Sequence, residues 1–137
     1  MTHAIKTAFA VAAALSMAVA PSADAKPRLT GQEQLAKMLD GRVAGKPQSC
    51  IFTGGAASND MTIIDRTALV FRSGGTLWVN RPADPKSIDD NDILVFKRFS
   101  GSQLCRTDMV NTVDRLSPHM LTGVVFLGDF VPYRKPA

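Results

Sequence analysis

A small, mainly β domain, an antiparallel barrel or sandwich with one short amino-terminal helix and one disulfide, is the fold class that this 137-residue sequence predicts. Three observations carry it. Short apolar runs recur along residues 49–135, separated by Gly, Pro, Asn and Asp, which is the spacing of strands and turns. A helical stripe with end signals occurs once, over residues 30–41. The two cysteines, Cys50 and Cys105, sit in a chain whose first residues read as an export signal.

The first 25 residues fit a secretory leader. Lys6 gives a positive start, residues 7–20 are small and apolar, and Ala23-Asp24-Ala25 puts small residues where a signal peptidase reads. The apolar run is shorter than the roughly 20 residues a bilayer needs, and it is rich in Ala, which argues against a membrane anchor. Cleavage after Ala25 is expected, releasing residues 26–137 to the periplasm or the medium. Later in the chain, no segment is long and apolar enough to cross a membrane. Residues 26–48 then form a tail, a short helix and a connection, and residues 49–135 form the β domain.

The helix follows from a capping box. In Thr30-Gly31-Gln32-Glu33 the Thr hydroxyl and the Glu carboxylate can each satisfy an N–H that the first turn leaves free. Leu35, Ala36, Met38 and Leu39 form the apolar stripe, and Gly41 suits a left-handed C-cap. So short a helix is marginal alone and must dock on the β part. After Gly45 and Pro47, residues 49–52 read as a strand.

Residues 61–82 hold the clearest pattern. Leu69 and Phe71 share one side of a strand and Ala68 and Val70 the other; Ser73-Gly74-Gly75 supplies the turn into residues 76–80. Upstream, Asp65-Arg66 predicts a tight turn whose Asp carboxylate accepts backbone N–H bonds, giving three strands in meander order. Arg81-Pro82-Ala83-Asp84-Pro85 interrupts regular structure. Further strands are expected at residues 93–96, 109–113, 123–127 and 130–133. The aromatics Phe52, Phe71, Trp78, Phe96, Phe99, Phe126, Phe130 and Tyr133 fall mostly in apolar strand patterns and are read as core.

Pairing Cys50 with Cys105 closes a long loop, worth about 4 kcal/mol through the entropy of the unfolded chain. The alternatives are two free thiols or a redox pair. A redox pair is disfavoured because catalytic thiols usually lie close together, as C-x-x-C. Metal binding is disfavoured because two cysteines and His119, the single histidine after Ala25, are too few ligands.

The net charge of +4 survives loss of the leader, which removes Lys6 and Asp24 together. So mild an excess suits solubility and slightly favours anionic partners. Nucleic acid is not expected, since base-stacking aromatics in a basic groove are missing from the pattern. The Gly-rich loop at residues 53–60, with Thr53, Gly54, Gly55, Asn59 and Asp60, is the candidate binding loop; it lacks the Lys-Ser/Thr of a P-loop and the G-x-G-x-x-G fingerprint. Asp89, Asp90 and Asp92 invite a calcium reading, but the glycine and distal Glu of an EF-hand are absent, so no metal or cofactor is expected. No catalytic constellation is recognisable. His119 lacks a nucleophile elbow, and Asp65, Asp108 and Asp114 flank strands where Asp commonly caps turns.

Taken together, Gly41-Arg42-Val43-Ala44-Gly45-Lys46-Pro47, Cys50-Ile51, residues 63–68 and Leu104-Cys105-Arg106-Thr107-Asp108 resemble a family of small uncharacterised secreted proteins of Gram-negative bacteria. The resemblance implies a periplasmic location and paired cysteines. It carries no activity and no functional residue. The residues therefore lead to a non-enzymatic envelope module that binds a protein or an anionic glycan. A second reading is an inhibitor of a secreted hydrolase, for which the loop at 53–60 would be the plug; a basic inhibitor suits a basic lysozyme poorly. A third is a carboxylate hydrolase using Asp65, Asp108 or Asp114.

Overall fold

Residues 26–53, 60–99 and 101–137 are described by the computed structural model, in which Thr30 opens helix α1 (Gly31–Leu39) with both halves of the capping box. The Thr30 hydroxyl accepts from the Glu33 N–H at 3.3 Å, and a Glu33 carboxylate oxygen accepts from the Thr30 N–H at 2.8 Å. Gly41 follows the helix with φ +68°, a conformation open to glycine at little cost.

The strands are β1 (Val43–Ala44), β2 (Cys50–Phe52), β3 (Met61–Ile64), β4 (Ala68–Ser73), β5 (Thr76–Asn80), β6 (Ile93–Lys97), β7 (Gln103–Cys105), β8 (Met109–Val113), β9 (Leu121–Phe126) and β10 (Phe130–Arg134). All pairings are antiparallel. They build a five-stranded sheet in the order β1-β10-β5-β4-β3, a three-stranded sheet in the order β6-β8-β9, and a two-stranded ladder of β2 with β7. Among the described residues the sheets do not close into a barrel, and the arrangement fits a sandwich. The predicted hairpin is present: Ser73 pairs with Thr76, and Gly74 turns the chain with φ +56°.

Strand β4 explains how the layers divide. At period two, Leu69 and Phe71 enter a core between the two larger sheets, with Ile51, Ile88, Leu104, Val110, Val125, Leu127 and Phe130. The Phe71 ring meets Phe130 and Phe96 edge-on, with centroids 5.8 and 6.2 Å apart. Ala68 and Val70, on the opposite side, pack with Ile64, Leu77, Val79 and Leu35 of α1, flanked by Met38, Leu39 and Tyr133. Ala36, expected in the helix stripe, is instead exposed: the buried arc is narrow and centres on Leu35.

The helix lies very close to the sheet. A side chain on Gly31 would collide with the Thr67 hydroxyl and the Asp65 carbonyl. Across the molecule, the fully buried Asn80 amide donates to the Gly128 carbonyl at 2.7 Å and accepts from its N–H at 3.1 Å, so β5 is clasped to the β9–β10 connection without an unpaired polar group.

Cys50 and Cys105 form a disulfide between directly paired residues of β2 and β7. Ile51 and Leu104, next in register, point into the inter-sheet core, so the staple fixes the ladder to the sandwich.

Candidate functional site

The three-stranded sheet buries one face only. Its inward residues Leu94, Phe96, Val110, Thr112 and Val125 meet the core, while the other alternation faces outward in three cross-strand rows. The first is Ile93–Val113–Leu121, the second Val95–Asn111–Val124 and the third Lys97–Met109–Phe126. Seven of these nine residues are apolar, and most are well exposed: Phe126 is 68 % accessible, Leu121 59 % and Met109 43 %. Lys97 and Asn111 are the two polar members. Singly exposed apolar residues are ordinary, whereas these form contiguous apolar rows across three strands, a candidate docking surface.

The charges around this face are separated. At the end carrying the first row stand Asp92, just before β6, and Asp114, just after β8, with Asp89 and Asp90 close by in sequence and Arg115 among them. Burial, then Asp89, then Asp114, raise the Asp92 carboxyl above its ordinary value. The opposite end carries Lys97 and Arg98; the Arg98 guanidinium donates to the Thr53 hydroxyl at 2.8 Å.

The loop expected to bind offers less than its sequence suggests. Thr53 is buried, with its N–H donating to the Ser102 carbonyl at 2.9 Å and its hydroxyl holding Arg98, so it is an anchor and not a contact residue. Asp60 is exposed, and its carbonyl accepts from Arg72 N–H. Gly54, Gly55 and Asn59 lie outside the described residues.

The carboxylates considered for hydrolysis are largely engaged. Asp108 is buried and accepts from the Phe99 and Cys105 N–H groups at 3.0 and 2.7 Å. Asp114 accepts from Leu116 and Ser117 N–H at 2.8 and 2.7 Å, capping the β8–β9 turn. Asp65 does not cap its own turn as expected. There the Thr67 N–H reaches the Ile64 carbonyl, the Arg66 N–H reaches the Ile88 carbonyl, and Arg66 has φ +49°. With the turn closed by backbone, Asp65 Oδ1 is left buried without a partner.

Asp65 instead meets Asp89 and Asp90, with one oxygen of each within 4.8 Å of the others. A cavity of about 280 Å³ adjoins them, lined by Arg28, Thr30, Gly31, Gln34, Asp65 and Asp90. The Arg28 guanidinium pairs with Asp90 at 3.0 Å, and Asp89 accepts from the Asn91 N–H at 2.8 Å, so the chain's own groups answer Asp89 and Asp90 but not Asp65 Oδ1. His119 is exposed in the β8–β9 turn.

Sequence reasoning missed the exposed sheet face because it placed the aromatics in the core. Phe71 and Phe130 are there, but Phe52, Phe99 and Phe126 are exposed. The signal was present: several apolar strands and a single helix leave one outer sheet face without a cover. Among the described residues no helix is long and apolar enough to cross a membrane. No family model, curated protein or solved structure matches the chain.

Proposed function

We propose that this protein is an exported, disulfide-stapled binding module of the cell envelope, non-enzymatic, with the outer face of the β6-β8-β9 sheet as its contact surface. The observation that carries the reading is the set of seven outward apolar residues on that sheet. Export is the companion proposal, resting on the leader-like residues 1–25 and on a disulfide that suits an oxidising compartment. A protein partner suits this surface better than an anionic glycan. A glycan needs cations and hydrogen-bond donors, and the face offers only Lys97 and Asn111.

The test is affinity capture from envelope extract, with the natively processed chain carrying a carboxyl-terminal tag and Val124→Lys as the comparison. A protein retained by the parent bait and lost with Val124→Lys is the expected result. Identical captures by the two baits would remove the face from the account.

One observation favours the inhibitor reading as a second. The disulfide and the Thr53–Ser102 bond hold rigid the strand end from which residues 54–60 depart. Replacing residues 54–59 with a Gly/Ser linker would then abolish inhibition of a secreted hydrolase while leaving the fold intact.

A further inference from the structure

We infer that the occupant of the exposed sheet face is a second copy of this chain, packed face to face about a two-fold axis that runs along the Val95–Asn111–Val124 row. This rests on the reading of that face as the contact surface and names its partner.

The charge distribution selects the geometry. Face-to-face packing of two identical sheets needs a two-fold axis lying in the interface plane. An axis parallel to the strands would set acidic end on acidic end and Lys97 near Lys97, which repels. An axis across the strands reverses each strand on its partner, so the Lys97–Met109–Phe126 row of one copy covers the Ile93–Val113–Leu121 row of the other. Lys97 then comes to the end of the second copy that carries Asp92 and Asp114. Neither Lys97 nor Asp92 takes part in an ion pair among the described residues.

The middle row lies on the axis, so Val95, Asn111 and Val124 each meet their own counterparts. Two valines suit self-contact. An amide does too, because it carries both donors and an acceptor and can pair with a second amide across the axis. Asn111 thereby fixes the register of an otherwise greasy contact, as a single polar residue does in other symmetric assemblies.

The size of the face sets the strength. Five residues by three strands is about 17 Å by 14 Å, which belongs with small, weak and transient contacts. An isologous contact also closes on itself and leads to dimers rather than fibres.

The experiment is sedimentation equilibrium of the natively processed protein over a concentration series, alongside Val124→Lys, Lys97→Asp, Asp92→Lys and the double variant Lys97→Asp/Asp92→Lys. Thermal unfolding serves as the control for folding of each variant. Expected are a reversible monomer–dimer equilibrium, a monomer with Val124→Lys, dimerisation weakened by about tenfold in each single charge variant, and recovery to within about threefold of the parent in the double variant. A dimer whose single charge variants behave like the parent, or whose double variant is the weakest, overturns the crossed-end arrangement. A monomer throughout overturns the second copy as occupant. If the envelope capture still yields a partner lost with Val124→Lys, the contact-surface reading stands; if it does not, both fall.

Discussion

The two outer faces of the sandwich both carry apolar side chains and are treated differently. On the five-stranded sheet, Ile64, Ala68, Val70, Leu77 and Val79 are covered by α1, with Leu35 seated among them and no more than 2 % accessible. The three-stranded sheet presents Ile93, Val95, Met109, Val113, Leu121, Val124 and Phe126 outward with no element of the described chain over them. One short helix covers one face. Apolar area removed from water is worth about 25 cal/mol per Å², so the covered face stabilises the fold while the bare one contributes none of that free energy to the single chain.

The sharpest break of this comparison is a pair of phenylalanines. Phe130 is fully buried between the sheets and Phe126, four residues earlier, faces outward. Phe130→Ala should lower unfolding stability by about 4 kcal/mol, and Phe126→Ala by less than about 0.5 kcal/mol for the monomer, read from denaturant unfolding at a concentration below self-association. Equal losses would mean that Phe126 is packed after all.

The staple holds the inter-sheet core from one end. Cys50→Ala should cost a few kcal/mol, up to about 4 by loop entropy, seen as lower heat and protease resistance; an unchanged unfolding curve would show that the bridge does not constrain the unfolded chain. Gly31→Ala attacks the covered face. The added methyl collides with the Thr67 hydroxyl and the Asp65 carbonyl, one of them backbone, and should cost about 1–3 kcal/mol. Binding of an apolar dye should rise as α1 lifts, making the covered face resemble the bare one.

The smallest effect distinguishes the faces by pH. Glu33, which caps α1, is held below its ordinary 4.5 by the Thr30 N–H and then by the Thr30 hydroxyl. A depressed folded-state value means that its stabilisation is present above pH 4.5 and is lost as pH falls through the folded value. Asp92, beside the bare face, is raised above 3.8, so the folded state binds its proton first, and stability is gained as pH falls through the raised folded value and is fully gained below 3.8. Glu33→Gln should flatten the acid loss, and Asp92→Asn should remove the opposing gain, in stability measured from pH 6 to about pH 3.

Much of the frame was legible in the residues. The Thr30–Glu33 box, Gly41, the two-sided reading of β4 and the Gly74–Gly75 turn all rest on local chemistry and hold in the structure. Asp65, Thr53 and Phe126 were not legible, because each depends on what lies across the fold. The Ile88 carbonyl takes the Arg66 N–H and, with Ile64, closes the Asp65 turn by backbone alone; Arg98 and Ser102 claim Thr53; Phe126 belongs to a sheet whose second face has no layer to meet. Period two tells which residues share a side. It does not tell whether that side is covered.

The most direct test of the central claim is hydroxyl-radical footprinting of the natively processed protein, in isolation at low concentration and again within intact envelope. Phe52 is 64 % accessible, sits on the β2–β7 ladder outside the three-stranded sheet, and serves as the internal reference for Phe126 and Met109. Loss of reactivity at Phe126 and Met109, with Phe52 unchanged, is the predicted result. Phe126 and Met109 reacting as fast in the envelope as in dilute solution would contradict a contact surface on this sheet.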